Sequence, residues 1–206
     1  MMDRNLGATA ATSSDKLASY GLLYQWGRKD PFLGGNGISS TTQAASTLSW
    51  PAAVSANGSN NVSYSIENPT TFIKSSSTYN YDWTVKDDNL WKSSKTMYDP
   101  CPAGYRVPDG GDTGVWKKAG FATTTATTWD SGYNFNISGS TTWYPAAGYR
   151  RYSDGTLLSV GSGGYCWSCT PSGTNAYYLF FLSDSVYPAY NYYSRASGRS
   201  VRCLRE

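Results

Sequence analysis

Ala176-Tyr-Tyr-Leu-Phe-Phe-Leu-Ser-Asp-Ser185 decides the fold class. Its apolar part, Ala176 to Leu182, is the longest such run in the chain. It is far short of the ~20 residues a membrane helix needs, and it reads as a buried strand. Ser183-Asp-Ser185 then fits a hairpin turn. The neighbourhood repeats the pattern. Gly164-Tyr-Cys-Trp-Ser168, Trp143-Tyr-Pro-Ala-Ala-Gly-Tyr-Arg150 and Arg199 to Leu204 read as further strands, and Ser153-Asp-Gly-Thr156 carries an Asp-Gly turn signal. Helix is a minority, so the expectation is one α+β domain built on a twisted antiparallel sheet with long loops.

Composition supports this. With 18 Tyr and 8 Trp in 206 residues, the chain is too aromatic to be disordered. Twenty-one Gly, with frequent Ser, Thr and Asn, argue for turns rather than a bundle. There is no His. Serine-histidine and cysteine-histidine catalysis are therefore excluded, as is any zinc site that needs imidazole. A net charge of +3 without a long basic run argues against a nucleic-acid partner. No stretch calls for membrane insertion. Met1-Met-Asp-Arg-Asn-Leu-Gly-Ala8 has no basic-then-apolar signal pattern, and its abrupt start is expected of an excised domain.

Upstream, Tyr20-Gly-Leu-Leu-Tyr-Gln-Trp26 fits either a short helix or a buried strand. Residues 33–68 are rich in Gly, Ser, Thr, Ala and Asn and read as a surface insertion with few anchors, Trp50 and Tyr64. Tyr98-Asp-Pro-Cys-Pro-Ala-Gly-Tyr-Arg-Val-Pro108 has three prolines, which forbid a helix or a central strand and leave a rigid extended connector. Asp112 is placed to cap a short helix over Val115 to Lys118, ended by Gly120.

These blocks together resemble one family. Asp3-Arg-Asn-Leu-Gly-Ala8, Tyr20-Gly-Leu-Leu-Tyr-Gln-Trp-Gly-Arg28, Asp99-Pro-Cys-Pro-Ala-Gly-Tyr-Arg-Val-Pro108, Ala147-Gly-Tyr-Arg150, Tyr165-Cys-Trp-Ser168 and Arg195-Ala-Ser-Gly-Arg-Ser-Val-Arg-Cys203 resemble the Fibrobacter succinogenes major paralogous domain. The resemblance covers nearly the whole chain. It implies a C-type-lectin-like fold over residues 1–206, akin to that of formylglycine-generating enzymes. It also implies a setting in surface or secreted proteins, often adhesin-like or lipid-anchored. It implies that Cys101 and Cys203 pair. Where the family usually has Tyr-Trp-Ser-Ser, this chain has Cys166-Trp-Ser-Cys169, so both cysteines look like additions. The even cysteine count fits an oxidising, extracellular or cell-surface location.

Several constellations carry competing readings. Cys166 and Cys169 form a CxxC in strand-like sequence, the wrong context for a redox thiol, and zinc would need two more ligands. A local disulfide or two free thiols is expected. Asp82, Asp87 and Asp88 surround Trp83. They could hold calcium but read better as solvated loop charges, and no metal or cofactor is expected. The lectin sugar motifs Glu-Pro-Asn and Gln-Pro-Asp are absent; Glu67-Asn-Pro69 has another order. Arg106, Arg150, Arg195 and Arg202 read as partly buried ion-pair formers.

The aromatic tail is the functional lead. Tyr177, Tyr178, Phe180 and Phe181 precede Tyr187, Tyr190, Tyr192 and Tyr193, with Asn191 and Ser194 among them. Core filling accounts for Trp167, Tyr178 or Phe180. The Pro188-containing stretch should leave several tyrosines exposed, and Tyr with Ser, Gly and Asn is paratope-like composition. From Cys166 to Ser194 there is no Lys, Glu, Gln or Met. Except for Trp167, every residue type there is reachable from an asparagine codon through its adenines, the residue menu of a diversity-generating retroelement. The expected ligand-binding set is Cys166, Ser168, Cys169, Tyr177, Phe181, Asp184, Tyr187, Tyr190, Asn191, Tyr192 and Tyr193. Its partner would be a glycan or protein receptor, on a cell surface, pilus tip or phage particle. The rivals are a formylglycine-generating-enzyme-like thiol enzyme, marked by a reactive thiol, and a structural pilus subunit, marked by self-association.

Overall fold

The computed structural model describes residues 1–35, 37, 53–137 and 139–206. It is a mixed α+β protein, mostly sheet, with three short helices among the described residues. Tyr20–Trp26 resolves into both of its possible forms. Tyr20 ends helix α1 (Lys16–Tyr20), capped by Asp15 accepting from the Ala18 amide, and β1 (Leu23–Gln25) follows at once. The insertion holds more structure than its composition indicates. β2 (Ala53–Ser55) pairs in parallel with β3 (Phe72–Lys74), and α2 (Asn61–Glu67) lies between them in sequence. Trp50 lies outside the described residues.

The connector is extended and tied at several points. Both Asp99 carboxylate oxygens accept backbone amides, from Cys101 and Val107, and Lys95 bonds the Tyr105 carbonyl. β4 (Tyr105–Arg106) pairs with the last strand, and Cys101 is disulfide-bonded to Cys203 with Cα atoms 5.8 Å apart. Helix α3 spans Val115–Lys118, but its N-cap is Gly114 and no side chain caps it. Asp112 is therefore not the cap, because the helix starts two residues too late for its carboxylate to meet the first amides. Gly120, in the left-handed region at φ 77°, follows the helix as expected.

From residue 132 on, strands dominate. β5 (Gly132–Ile137) and β6 (Ser140–Pro145) form a separate hairpin. The main sheet contains β7 (Ala147–Arg150), β8 (Leu157–Val160), β9 (Gly164–Ser172), β10 (Asn175–Leu182), β11 (Ser185–Tyr190) and β12 (Gly198–Ser200). Its order is β11-β10-β9-β12-β7-β8, with β1 also paired to β12. Both predicted turns close hairpins: Asp154-Gly155 between β7 and β8, and Ser183-Asp184 between β10 and β11. Arg199 to Leu204 is not one strand. The chain leaves the main sheet after Ser200 and β13 (Leu204–Arg205) pairs with β4 instead. The two ends of the chain meet, the Met2 amide donating to Cys203 and the Leu6 amide to Val201.

Strand alternation explains why β9 and β10 are buried on both faces. Trp167, Cys169, Ala176 and Tyr178 face one core with Trp26, Trp83 and Trp91; Cys166, Leu179 and Phe181 face another with Trp116, Phe121, Phe135 and Tyr144. Phe181 lies so tightly on β9 that a Cβ on Gly164 would sit 1.9 Å from its ring, so any side chain there would expel it.

Five arginines are fully buried: Arg28, Arg150, Arg195, Arg199 and Arg202. Ion pairing accounts for Arg195, held by Asp82 and Asp88, and for the half-buried Arg106, held by Asp109. Arg150 and Arg202 correct that expectation. Arg150 donates to the carbonyls of Leu33 and Gly155. Arg202 donates to the Trp143 carbonyl and lies 3.7 Å from the Tyr144 ring centroid. In loop-rich structure, carbonyls and ring faces supply what carboxylates would. Asp82 is likewise no solvated loop charge. It is fully buried, accepting from the Thr84 amide and hydroxyl and the Lys86 amide beside Arg195. Those oxygens are occupied, and the described residues contain no group of three or more acidic, Cys or His side chains that could hold a metal.

Candidate functional site

The proposed binding residues divide by burial. Cys166, Ser168, Cys169 and Phe181 are buried and correct the expected set: core packs over each of these positions on β9 and β10, so none of these side chains can meet a macromolecular partner. Tyr177 is half-buried against Gly111, and its carbonyl accepts from the Ser168 hydroxyl. Asp184 is exposed at the β10–β11 turn and accepts from Ser185. Tyr187, Tyr190, Asn191, Tyr192 and Tyr193 remain as a surface-accessible group.

The two CxxC thiols cannot form the local disulfide. Both are free, and a spacing of three along a strand turns them to opposite faces. Burial pushes each thiol up to about 12, with Asp109 adding to the effect at Cys169. Reagents that attack thiolates should therefore leave the native protein untouched at pH 8 and titrate two thiols on denaturation. Rapid native labelling of either residue would contradict this burial. The shift also carries a pH dependence. Unfolded thiols ionise near 9, whereas the folded ones keep their protons to about 12. Stability contributed by the neutral thiols is complete below about pH 9 and is lost as pH rises towards 12, because the folded state then holds more protons. Denaturant midpoints between pH 8 and 11 should fall, and Cys166→Ala should flatten the fall.

Two linked features make up the accessible face. The first is a ladder of rings on β9–β11. Tyr165 stacks on Phe180 at 5.0 Å between centroids, Phe180 on Tyr187 at 5.5 Å, and Tyr190 closes on both Phe180 and Tyr187 at 5.3 Å. Arg199 forms the floor. It is 1% exposed, its guanidinium lies 3.7 Å from the Tyr178 centroid, 4.4 Å from Trp167 and 5.4 Å from both Tyr165 and Tyr193, and Nε and Nη1 have no hydrogen-bond partner. A buried cation held by ring faces is costly to place, and it fixes the rings around it.

The second feature is a cavity of about 390 Å³ lined by Asn80, Tyr81, Tyr152, Thr174, Asn175, Tyr192, Tyr193 and Ser194. Tyr192 and Tyr193, 74% and 40% exposed, form one wall. Tyr81 and Tyr152, edge to face at 5.0 Å, form the other. Asn80 and Tyr81 are both left-handed, at φ 50° and 63°. For a bulky tyrosine this backbone is strained and is held by neighbours. The Tyr81 amide donates to Ser76, and its carbonyl accepts the Ser194 hydroxyl. The strain turns Tyr81 out at the surface of a turn whose next residue, Asp82, is locked inside.

Sequence reasoning found Tyr192 and Tyr193 but missed the opposite wall. Tyr81 and Tyr152 are more than 70 positions apart in sequence, and only the fold brings them together. Arg199 was hidden within a motif read for its cysteine. Comparison with protein-family models, curated proteins and solved structures finds no match to this chain.

Proposed function

We propose that this is a non-catalytic binding domain of C-type-lectin-like fold that presents a Tyr-rich face to a glycan or protein receptor outside the cell. The observation that carries the reading is the cleft between Tyr192–Tyr193 and Tyr81–Tyr152. It is concave, it has an aromatic lining with a few amides and hydroxyls, and its walls are braced from behind, features that suit recognition. The closely paired chain ends and long connecting segments support the fold assignment, and with it the resemblance to the Fibrobacter paralogous family. The disulfide supports an extracellular or surface location. The burial of both unpaired thiols supports binding over thiol catalysis.

The retroelement reading narrows with burial. Variation at Cys166, Ser168, Cys169, Leu179 or Phe181 would disturb a core, whereas Tyr187 and Asn191 to Tyr193 are free to change. Sequencing the coding segment across the source population tests this: adenine-directed variation confined to the exposed codons is expected, and a uniform segment ends the idea.

Binding itself is tested with a saccharide microarray and a panel of cell-surface proteins. The wild-type domain should give a reproducible hit. Tyr192→Ala/Tyr193→Ala should lose it with the melting temperature little changed. A hit retained by that variant would move the site elsewhere.

A further inference from the structure

A second cavity, of about 360 Å³, adjoins the cleft and shares Tyr81 and Tyr152 with it. The tyrosine pair therefore divides one groove into two compartments. The second compartment is lined by Ser55, Ser75, Ser76, Ser77, Ser153 and Tyr79, together with Ala56 and Lys74. Its one charged group sets it apart from ordinary polar surface. Lys74 is the charged side chain of the lining, and no ion pair to it exists among the described residues. The nearest acid in sequence on the opposite rim, Asp154, is already bound to Arg151 and the Thr156 amide.

We propose that this compartment is a subsite for an anionic substituent, a carboxylate or a sulfate ester, on a saccharide whose rings lie against Tyr81, Tyr152 and Tyr192. The inference rests on the reading of the tyrosine cleft as the binding face, and names the class of ligand that face selects. The exposed hydroxyls of Ser55, Ser76, Ser77 and Ser153 are the donors the walls offer a ligand. An ammonium beside several hydroxyl donors, with no competing carboxylate in the wall, matches an oxyanion that accepts several bonds at once. The compartment walls are fixed. The Ser75 amide donates to the Tyr152 carbonyl and the Ala56 amide to the Lys74 carbonyl, so the donors are organised before the ligand arrives.

The test uses a saccharide microarray of matched pairs: carboxylated chains against their methyl esters, and sulfated chains against their desulfated forms. The wild-type protein, Lys74→Gln and Tyr192→Ala/Tyr193→Ala are compared. The expected result is at least tenfold preference for the acidic member of one pair type. That preference should fall to near unity in Lys74→Gln while the neutral chain binds as before. The two pair types tell carboxylate from sulfate recognition. Equal binding of acidic and neutral members, lost in the double tyrosine variant, overturns the anionic subsite and leaves the tyrosine cleft standing. An acidic preference unchanged by Lys74→Gln also overturns it. Absence of binding to every saccharide overturns the subsite together with the glycan reading of the cleft.

Discussion

Arg195→Met should destabilise the protein by about 3–5 kcal/mol, the cost of removing one partner from a buried ion pair. Arg195 and Asp82 are both fully buried, 3.5 Å apart, and Asp88 adds a second carboxylate at 2.5 Å. The guanidinium also donates to the carbonyls of Gly173 and Asn175 and lies 4.4 Å from the Trp26 ring centroid. Methionine fills part of the volume but leaves the Asp82 carboxylate buried beside no cation, and leaves both carbonyls without donors. For a chain of this size the midpoint should fall by on the order of 10 °C. Arg195→Met/Asp82→Asn should recover part of that loss, since the stranded charge is gone. The same contact reaches the proposed site. Asp82 follows the strained Tyr81, and Ser194 precedes Arg195, so the ion pair clamps both walls of the cleft from behind. Thermal and denaturant unfolding of the two variants would measure this. A loss under about 1 kcal/mol for Arg195→Met would show that the clamp is not what holds the loop.

The disulfide should be the second large contributor. Cys101 and Cys203 are 102 positions apart, and closing a loop of that length is worth about 4.7 kcal/mol in the chain-entropy account. Both cysteines are buried, so the clean comparison is Cys101→Ala/Cys203→Ala rather than added reductant. We expect a fall in melting temperature on the order of 10 °C, with fraying of the two-residue pairing between β4 and β13. A midpoint unchanged from wild type would mean that Asp99, Lys95 and the Pro-rich backbone hold the connector unaided.

What could be read in the sequence followed local rules. Asp154-Gly155 and Ser183-Asp184 mark their hairpins because turn chemistry is confined to a few adjacent residues. Ala176 to Leu182 is legible as a buried strand from its apolar run alone. What could not be read depended on which faces are covered. Cys166, Ser168, Cys169 and Phe181 look like candidates for a surface because a strand's alternation normally leaves one side free. Here β9 and β10 lie between two cores, and alternation sorts residues between them instead of between core and solvent. The arginines show the same limit. A buried Arg150 or Arg202 satisfied by distant carbonyls and a ring leaves no signature near it in the chain. Nothing near Tyr81 in the chain singles it out, and its strained backbone and its pairing with Tyr152 belong to the fold.

The most direct test of the binding face is calorimetric titration of the strongest microarray or panel hit into three proteins: wild type, Tyr192→Ala/Tyr193→Ala, and Met97→Ala as a control at an exposed residue outside both cavities. Loss of two aromatic anchors at a cleft should weaken binding by about 30-fold or more. The account predicts that loss in the double tyrosine variant, wild-type affinity in Met97→Ala, and closely similar melting temperatures for all three. Equal affinity in wild type and the double tyrosine variant would contradict it.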